Sequence, residues 1–271
     1  MMRLVRSFHE VPIGLPTVCC IGTFDGVHKG HQHLIGAAVR EAHQRQMRSA
    51  VITFFPHPRA VLGRTEERYL TLPKEKAERL AALGVDVLLI HEFTAETIHT
   101  RAEEFIGMML STFDLRSLWA GPDFAFGYRR EGTTAWLHDA AIRHGFDMHV
   151  AEPFVVSGRP VSSSRVREAL LRGDMEEVSA CLGRPYLLAG HLLNNSDPDA
   201  QQQIDMTNGS PAEQGRQIAL DRQQWRPADG EYSVHVNGEA NCLLLERQGT
   251  VAILKKELCI KHFGVLEIFF A

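Results

Sequence analysis

The sequence predicts an α/β protein: a parallel sheet built from βαβ units, followed by a small antiparallel β domain. Three observations carry this. Short apolar runs alternate with amphipathic runs over the first 182 residues, the pattern of strands and helices taken in turn. The connections are short and punctuated by Gly and Pro, so consecutive elements are expected to be neighbours in space. Beyond residue 217 the apolar period drops to two, with Gly-bearing turns between runs, as in strands covered on one face.

The elements follow in order. Val18–Ile21 is an apolar strand, after which Leu34, Ile35, Ala38, Val39 and Ala42 recur at helical spacing. Ala50–Phe55 is the next strand, stopped by Pro56 and Pro58. Pro73 suits the first turn of a helix that carries Lys76, Leu80 and Leu83 and stops at Gly84. Val85–Ile90 is a third strand. Thr100 and Glu103 have capping-box spacing ahead of Phe105, Ile106 and Met109. Leu118–Ala120 runs as a strand into Gly121-Pro122-Asp123, a helix over Ala135–His144 ends at Gly145, and Met148–Val150 is another strand. After Gly173 a helix capped by Asp174, with Glu177 behind it, reaches Cys181. Residues 194–217 are polar and rich in Gln, Asn, Ser, Pro and Asp, and most of them read as mobile loop. Tyr232–Val236, Cys242–Glu246, Val251–Lys255 and Val265–Phe270 form the antiparallel part, with Asn237-Gly238 as a turn. The boundary falls near Leu182–Pro185, giving domains 1–183 and 184–271.

Composition removes several function classes. A net charge of −4 over 271 residues offers no overall basic field, so nucleic acid is not the expected partner. No run approaches the roughly 18 apolar residues of a membrane span, and the start, MMRLVRSFHEVPIG, lacks the features of a secretion signal. A cytoplasmic location is expected. The five cysteines form no CxxC pair; they read as reduced, mostly buried thiols, not a zinc site. Oligomeric state is not legible.

The chemistry concentrates in Gly22–His31, GTFDGVHKGH, where a strand hands over to a helix. Ligands of parallel α/β sheets bind beyond the carboxyl ends of the strands. Gly22, Gly26 and Gly30 allow backbone N–H groups to approach an anion, and the helix turns its positive end to the same place. The dipole contributes only about 0.3–1 kcal/mol at an exposed site, so side chains must supply more. His28 and His31 straddle the junction and can face one cavity. The P-loop pattern, the dinucleotide GxGxxG and the GxSxG elbow are all absent. A second cluster, Ser162-Ser163-Ser164-Arg165-Val166-Arg167, puts hydroxyls at a helix start and arginine one turn on, which suits a polyphosphate tail. Taken on its own, this cluster reads sooner as a serine cap with surface arginines.

The runs IGTFDGVHKGHQHLI, TFFPHP, GPDFAFG, SSSRVR and LGRPYLLAG stand in the order found in bacterial FAD synthetases, the two-domain riboflavin kinase/FMN adenylyltransferases. The chain resembles that family over residues 16–190. The resemblance implies a Rossmann-like nucleotidylyltransferase domain marked by HxGH, here His28–His31, that transfers AMP from ATP to FMN. It implies an ATP site at Gly22, Thr23, Phe24, Asp25, Gly26 and Gly30, with Ser163, Ser164 and Arg167 gripping the β,γ-phosphates. Mg²⁺ would ride on phosphate oxygens without protein ligands. It implies a flavin site at Phe54, Pro56, His57, Pro58, Asp123, Phe124 and Phe126. Ser164 stands where the family usually has Thr, and Thr23 where it usually has Asn.

The likeness fails in the kinase half. There the family continues with a glycine-rich turn and GxPTAN, whose threonine and asparagine help hold Mg²⁺ and ATP. This chain has Gly215-Arg216-Gln217-Ile218-Ala219-Leu220-Asp221-Arg222-Gln223-Gln224. Pro227–Tyr232 keeps a family-like turn, and Glu267 lies where the family's strand carries a catalytic carboxylate. The expectation is a barrel-like domain without kinase activity. The alternatives are a bifunctional enzyme, another HxGH substrate such as nicotinamide mononucleotide or phosphopantetheine, and a flavin- or nucleotide-binding regulator that does not catalyse.

Overall fold

The structure, a computed structural model, describes residues 1–11, 14–63, 68–192, 216–237, 239–245, 251–254 and 266–270. It divides into two compact units, Met1–Glu67 with Thr71–Val161, and Arg68–Leu70 with Ser162–Ala271. Most of the polar stretch 194–217, Gly238 of the expected turn, and Glu246, Lys255, Cys259 and Val265 lie outside the described residues.

The first unit holds β1 (Arg3–Val5), β2 (Pro16–Ile21), α1 (Lys29–Gln44), β3 (Arg48–Phe55), α2 (Pro58–Val61), α3 (Pro73–Ala82) and β4 (Val87–Glu92). It continues through α4 (Ala102–Thr112), β5 (Asp114–Ala120), β6 (Ala125–Phe126), β7 (Gly132–Thr133), α5 (Thr134–His144), β8 (Asp147–Val150), β9 (Val155–Val156) and β10 (Arg159–Pro160). Six of the strands form one parallel sheet in the order β1-β4-β3-β2-β5-β8. From β2 the chain winds outward to β3 and β4 on one side, then returns to β5 and β8 on the other. The reversal lies between β2 and β5, and the crevice beyond their carboxyl ends is where such sheets take ligands.

The strand period of two sorts the core into two layers. Cys19 and Ile21 of β2, Ala50 and Ile52 of β3 and Leu89 of β4 pack with Phe105, Ile106 and Met109 of α4 and Leu137 and Ala140 of α5. Val18, Cys20, Val51 and Leu88 point the opposite way, against Leu34, Ile35, Ala38 and Val39 of α1 and Leu80 of α3. Each fully buried Val, Leu or Ile contributes about 1.5–3 kcal/mol, so alternation in β2–β4 holds both helical layers at once. Cys19, Cys20, Cys181 and Cys242 are free thiols, and burial pushes the first two well above the usual thiol range.

Two local expectations change. β1, at the sheet edge against β4, escapes the sequence pattern because it has only three residues. The capping box at Thr100 does not form. Arg101 is the N-cap of α4 and makes no side-chain cap bond. Glu131, distant in sequence, accepts the Ala102 N–H at 2.8 Å and the Arg101 guanidinium N–H at 2.7 Å, while the Thr100 carbonyl accepts from the Tyr128 N–H. A tertiary carboxylate has taken the local cap's place.

The second unit opens with α6 (Ser163–Arg172) and α7 (Met175–Leu182). A closed antiparallel barrel follows, of β11 (Leu187–Leu192), β12 (Arg216–Leu220), β13 (Gly230–Val236), β14 (Glu239–Leu245), β15 (Val251–Leu254) and β16 (Leu266–Phe270). The strand order is β11-β12-β15-β14-β13-β16, and β16 pairs back to β11. Closure leaves no unpaired edge. Leu188, Ile218, Val236, Leu245, Leu254 and Ile268 are buried. Asp174 caps α7 by accepting the Glu177 N–H at 3.0 Å, and the Ala228 N–H ties to the Leu170 carbonyl of α6 at 2.9 Å. Among the described residues no helix is long and apolar enough to cross a membrane.

Candidate active site

The loop from Gly22 to His28 leaves β2 at the switch point. Its backbone is unusual: Phe24, Gly26 and Val27 have φ of 47°, 88° and 39°. Positive φ is strained for Phe and more so for β-branched Val. Burial holds it there, since the Phe24 and Val27 side chains lie in the α1-side core. Gly22 leaves room for the Phe24 ring; a Cβ there would meet it at 2.8 Å.

Beneath the loop, three polar groups fix its path. The Thr23 carbonyl accepts from Lys76 Nζ at 2.8 Å and from Thr53 Oγ1 at 3.0 Å. The Thr71 hydroxyl accepts the Gly26 N–H at 3.1 Å, while Asp25, 1% exposed, accepts the Thr71 N–H at 3.4 Å. Asp25 therefore works from inside the protein. Lys76 is buried on α3; desolvation lowers its pKa and the Asp25 charge opposes that shift.

His28 is the N-cap of α1: its Nδ1 accepts the His31 N–H at 3.2 Å. An accepting Nδ1 is unprotonated, so the ring's proton sits on Nε2, which becomes a directed donor. The two imidazoles stack with centroids 3.6 Å apart and planes at 17°, and Phe24 meets His31 edge-on at 5.2 Å. The structure thus brings His28 and His31 together over a helix N-terminus. Gly30 admits this packing, because a Cβ there would lie 3.1 Å from His28 Cε1 and 3.4 Å from the Val161 carbonyl oxygen.

The loops after β3 and β5 flank this one, as the strand order β3-β2-β5 requires. Pro56, His57 and Pro58 follow β3 and are partly exposed, and the His57 carbonyl accepts the Ala60 N–H of α2. Asp123 is exposed, and Phe124 is half-buried and stacked on Phe126 at 5.6 Å and 16°. Phe54 and Phe126 are core side chains that both pack on Phe105, at 6.0 and 5.5 Å.

Ser163, Ser164 and Arg167 lie in the second unit, on the first turns of α6, where Ser162 caps by accepting the Arg165 N–H at 3.2 Å. Arg165 is buried and paired with Glu177 at 2.6 Å, so it braces α6 against α7. The Arg167 guanidinium stands 6.0 Å from the ring centroid of Trp225. Among the described residues no three His, Cys, Asp or Glu side chains gather as a metal site. Sequence reasoning missed Lys76, Thr71, Thr53 and Trp225. Only Lys76 left a trace, as a cation on the buried face of its helix, one turn before Leu80.

The FAD synthetase family model matches residues 13–165, more than half of the chain. The chain belongs to the FAD synthetase family. It is 32% identical over 228 residues to the bifunctional riboflavin kinase/FMN adenylyltransferase of Listeria monocytogenes, covering 83% of this chain and 69% of that protein. It is 30% identical over 241 residues to the protein so named from Escherichia coli strain K12, covering 88% and 74%. In fold, it matches the crystal structure of a macrolide-efflux protein from Streptococcus pneumoniae with a TM-score of 0.81 at 21% identity, covering 100% of this chain and 89% of that one.

Proposed function

We propose that the chain is an FMN adenylyltransferase: the FMN phosphate attacks the α-phosphorus of ATP, the bond from that phosphorus to the β-bridging oxygen breaks, and pyrophosphate leaves with FAD formed. The observation that carries this reading is the stacked His28–His31 pair at the helix start on the switch point, in a chain of the FAD synthetase family. The chemistry needs little more. A phosphate monoester has its second pKa near 6, so FMN is mostly dianionic at pH 7 and no general base is required. The site has to hold two polyanions together and stabilise charge that builds on the transferred phosphate. The His28 Nε2–H is oriented for that by its own capping bond. Ser163, Ser164 and Arg167 serve the β,γ-phosphates, and Mg²⁺ enters on ATP as part of the substrate. Pro56, His57, Pro58, Asp123 and the Phe124 face, backed by Phe54 and Phe126, take the flavin.

The transfer reaction is assigned to residues 1–183, and 184–271 form a kinase-like barrel domain that has lost phosphorylation of riboflavin. The segment in the place of the family's kinase motif is tied into the barrel. Gln224 is buried, its amide accepting the Ala189 N–H at 2.7 Å and donating to the Leu187 carbonyl at 3.1 Å. The Gln223 N–H is turned onto the Asp221 carboxylate at 2.8 Å. Such groups support a barrel wall and leave that amide no role on a phosphate. Incubation with FMN, ATP and Mg²⁺, followed by flavin chromatography, is expected to yield FAD and pyrophosphate in equal amounts; absence of FAD overturns the reading. Incubation with riboflavin, ATP and Mg²⁺ is expected to yield neither FMN nor FAD.

A further inference from the structure

The loop between β12 and β13 carries an indole whose position is heavily determined. The Trp225 N–H donates to the Tyr69 carbonyl at 2.9 Å, its carbonyl accepts the Tyr186 hydroxyl at 2.5 Å, and its Nε1–H donates to the Arg68 carbonyl at 3.2 Å. The Tyr69 N–H returns to the Gln223 carbonyl at 2.6 Å, and the Gln224 amide holds β11 on the other side. Backbone donor, backbone acceptor and ring donor are all engaged, so the ring cannot swing away.

Two guanidinium groups stand over this indole, that of Arg68 at 5.9 Å and that of Arg167 at 6.0 Å from the centroid. These distances are at the reach of cation–π attraction, and tryptophan is the strongest aromatic partner. The indole gives Arg167 an aromatic face to lie against. Its long side chain carries much rotamer entropy, which a ligand has to remove on binding unless the protein removes part of it first. A half-buried ring fixed by three hydrogen bonds does part of that ordering before any nucleotide arrives.

We propose that Trp225 is a positioning residue for adenylyl transfer: the barrel domain supplies an indole that keeps Arg167 set for the ATP phosphates. This gives the domain a use that does not depend on kinase chemistry. It rests on the reading of Arg167 as an ATP contact given above.

Steady-state kinetics of the full chain tests it, with FMN and ATP varied separately for W225A, W225F, R167A and the W225A/R167A double variant. W225A is expected to raise the KM for ATP about two- to thirtyfold and to leave the KM for FMN unchanged. W225F, which keeps an aromatic face, recovers most of the loss, and the double variant is no worse than R167A alone. An unchanged KM for ATP in W225A, or losses that multiply in the double variant, overturns the proposal. Should W225A lose its melting transition, W225F against W225L carries the same test, since leucine keeps bulk without a ring face. R167A with the wild-type KM for ATP overturns the reading of Arg167 itself, and the proposal with it, whatever Trp225 does.

Discussion

His28 lies flat against His31, 3.6 Å between ring centroids, while its Nδ1 accepts the backbone N–H of that same residue. One side chain thus caps the helix with one nitrogen and presents a donor with the other. The two duties are separable by substitution.

Asparagine is a good N-cap but has no donor where His28 Nε2 stands. His28→Asn is therefore expected to keep the melting temperature within a few degrees of wild type while turnover falls roughly a hundred- to a thousandfold, the usual loss for one donor to developing charge. His28→Ala is expected to lose turnover equally and about 1 kcal/mol of stability as well. Thermal melts beside single-turnover assays check both, and an Asn variant with wild-type turnover removes His28 from the chemistry.

Gly22→Ala addresses the pair from below. The added methyl would meet the Phe24 ring at 2.8 Å, and that ring supports His31 edge-on. The Phe24 ring must move and His31 with it. Misplacement of a reacting group by about 1 Å costs on the order of a hundredfold in rate, so kcat is expected to fall steeply with the protein still folded. A variant with wild-type kcat would show that His31 does not depend on the Phe24 contact.

Lys76→Met removes the donor that holds the Thr23 carbonyl from beneath. The buried Asp25 carboxylate loses a nearby cation in this variant, so the melting temperature is expected to fall, and ATP is titrated where thermal melts show the variant folded. The loop loses an anchor, and the KM for ATP is expected to rise about tenfold, the value of one hydrogen bond to a charged group. Titration of ATP into the folded variant checks it; unchanged affinity assigns Lys76 to packing alone.

Much of this fold is legible from the sequence because the local signals agree with the tertiary ones. β2 and β3 alternate between two buried layers, Asp174 with Glu177 caps α7 as spaced, and Gly145 and Gly173 end their helices at positive φ. The misses share one cause, which is that the partner lies far along the chain. Glu131 caps α4 from 29 residues away, Thr71 meets Gly26 across 45, and β1, too short for a period of its own, pairs with β4 more than 80 residues on. In the site, spacing marks His28 and His31, but no pattern in the sequence separates Phe54 and Phe126 as core from Phe124 as surface. Their burial follows from the shared contact with Phe105.

His91 provides a test of the core beside these rings. It lies half-buried among Phe8, Phe54 and Phe105, with centroids at 5.3, 6.1 and 5.9 Å, and desolvation there lowers its pKa below 6.5, with the Glu92 charge opposing. In the unfolded chain the ring takes its proton near 6.5; in the folded protein it does so only at lower pH. Between those values the unfolded state binds more protons, so stability rises with pH there and the penalty is complete once pH falls below the folded value. Replacement by a ring that does not titrate removes this dependence. His91→Phe is expected to show a flatter fall in melting temperature from pH 6.5 downward than wild type, with little change above pH 7. Identical slopes for the two proteins would assign the acid sensitivity of the fold to other groups.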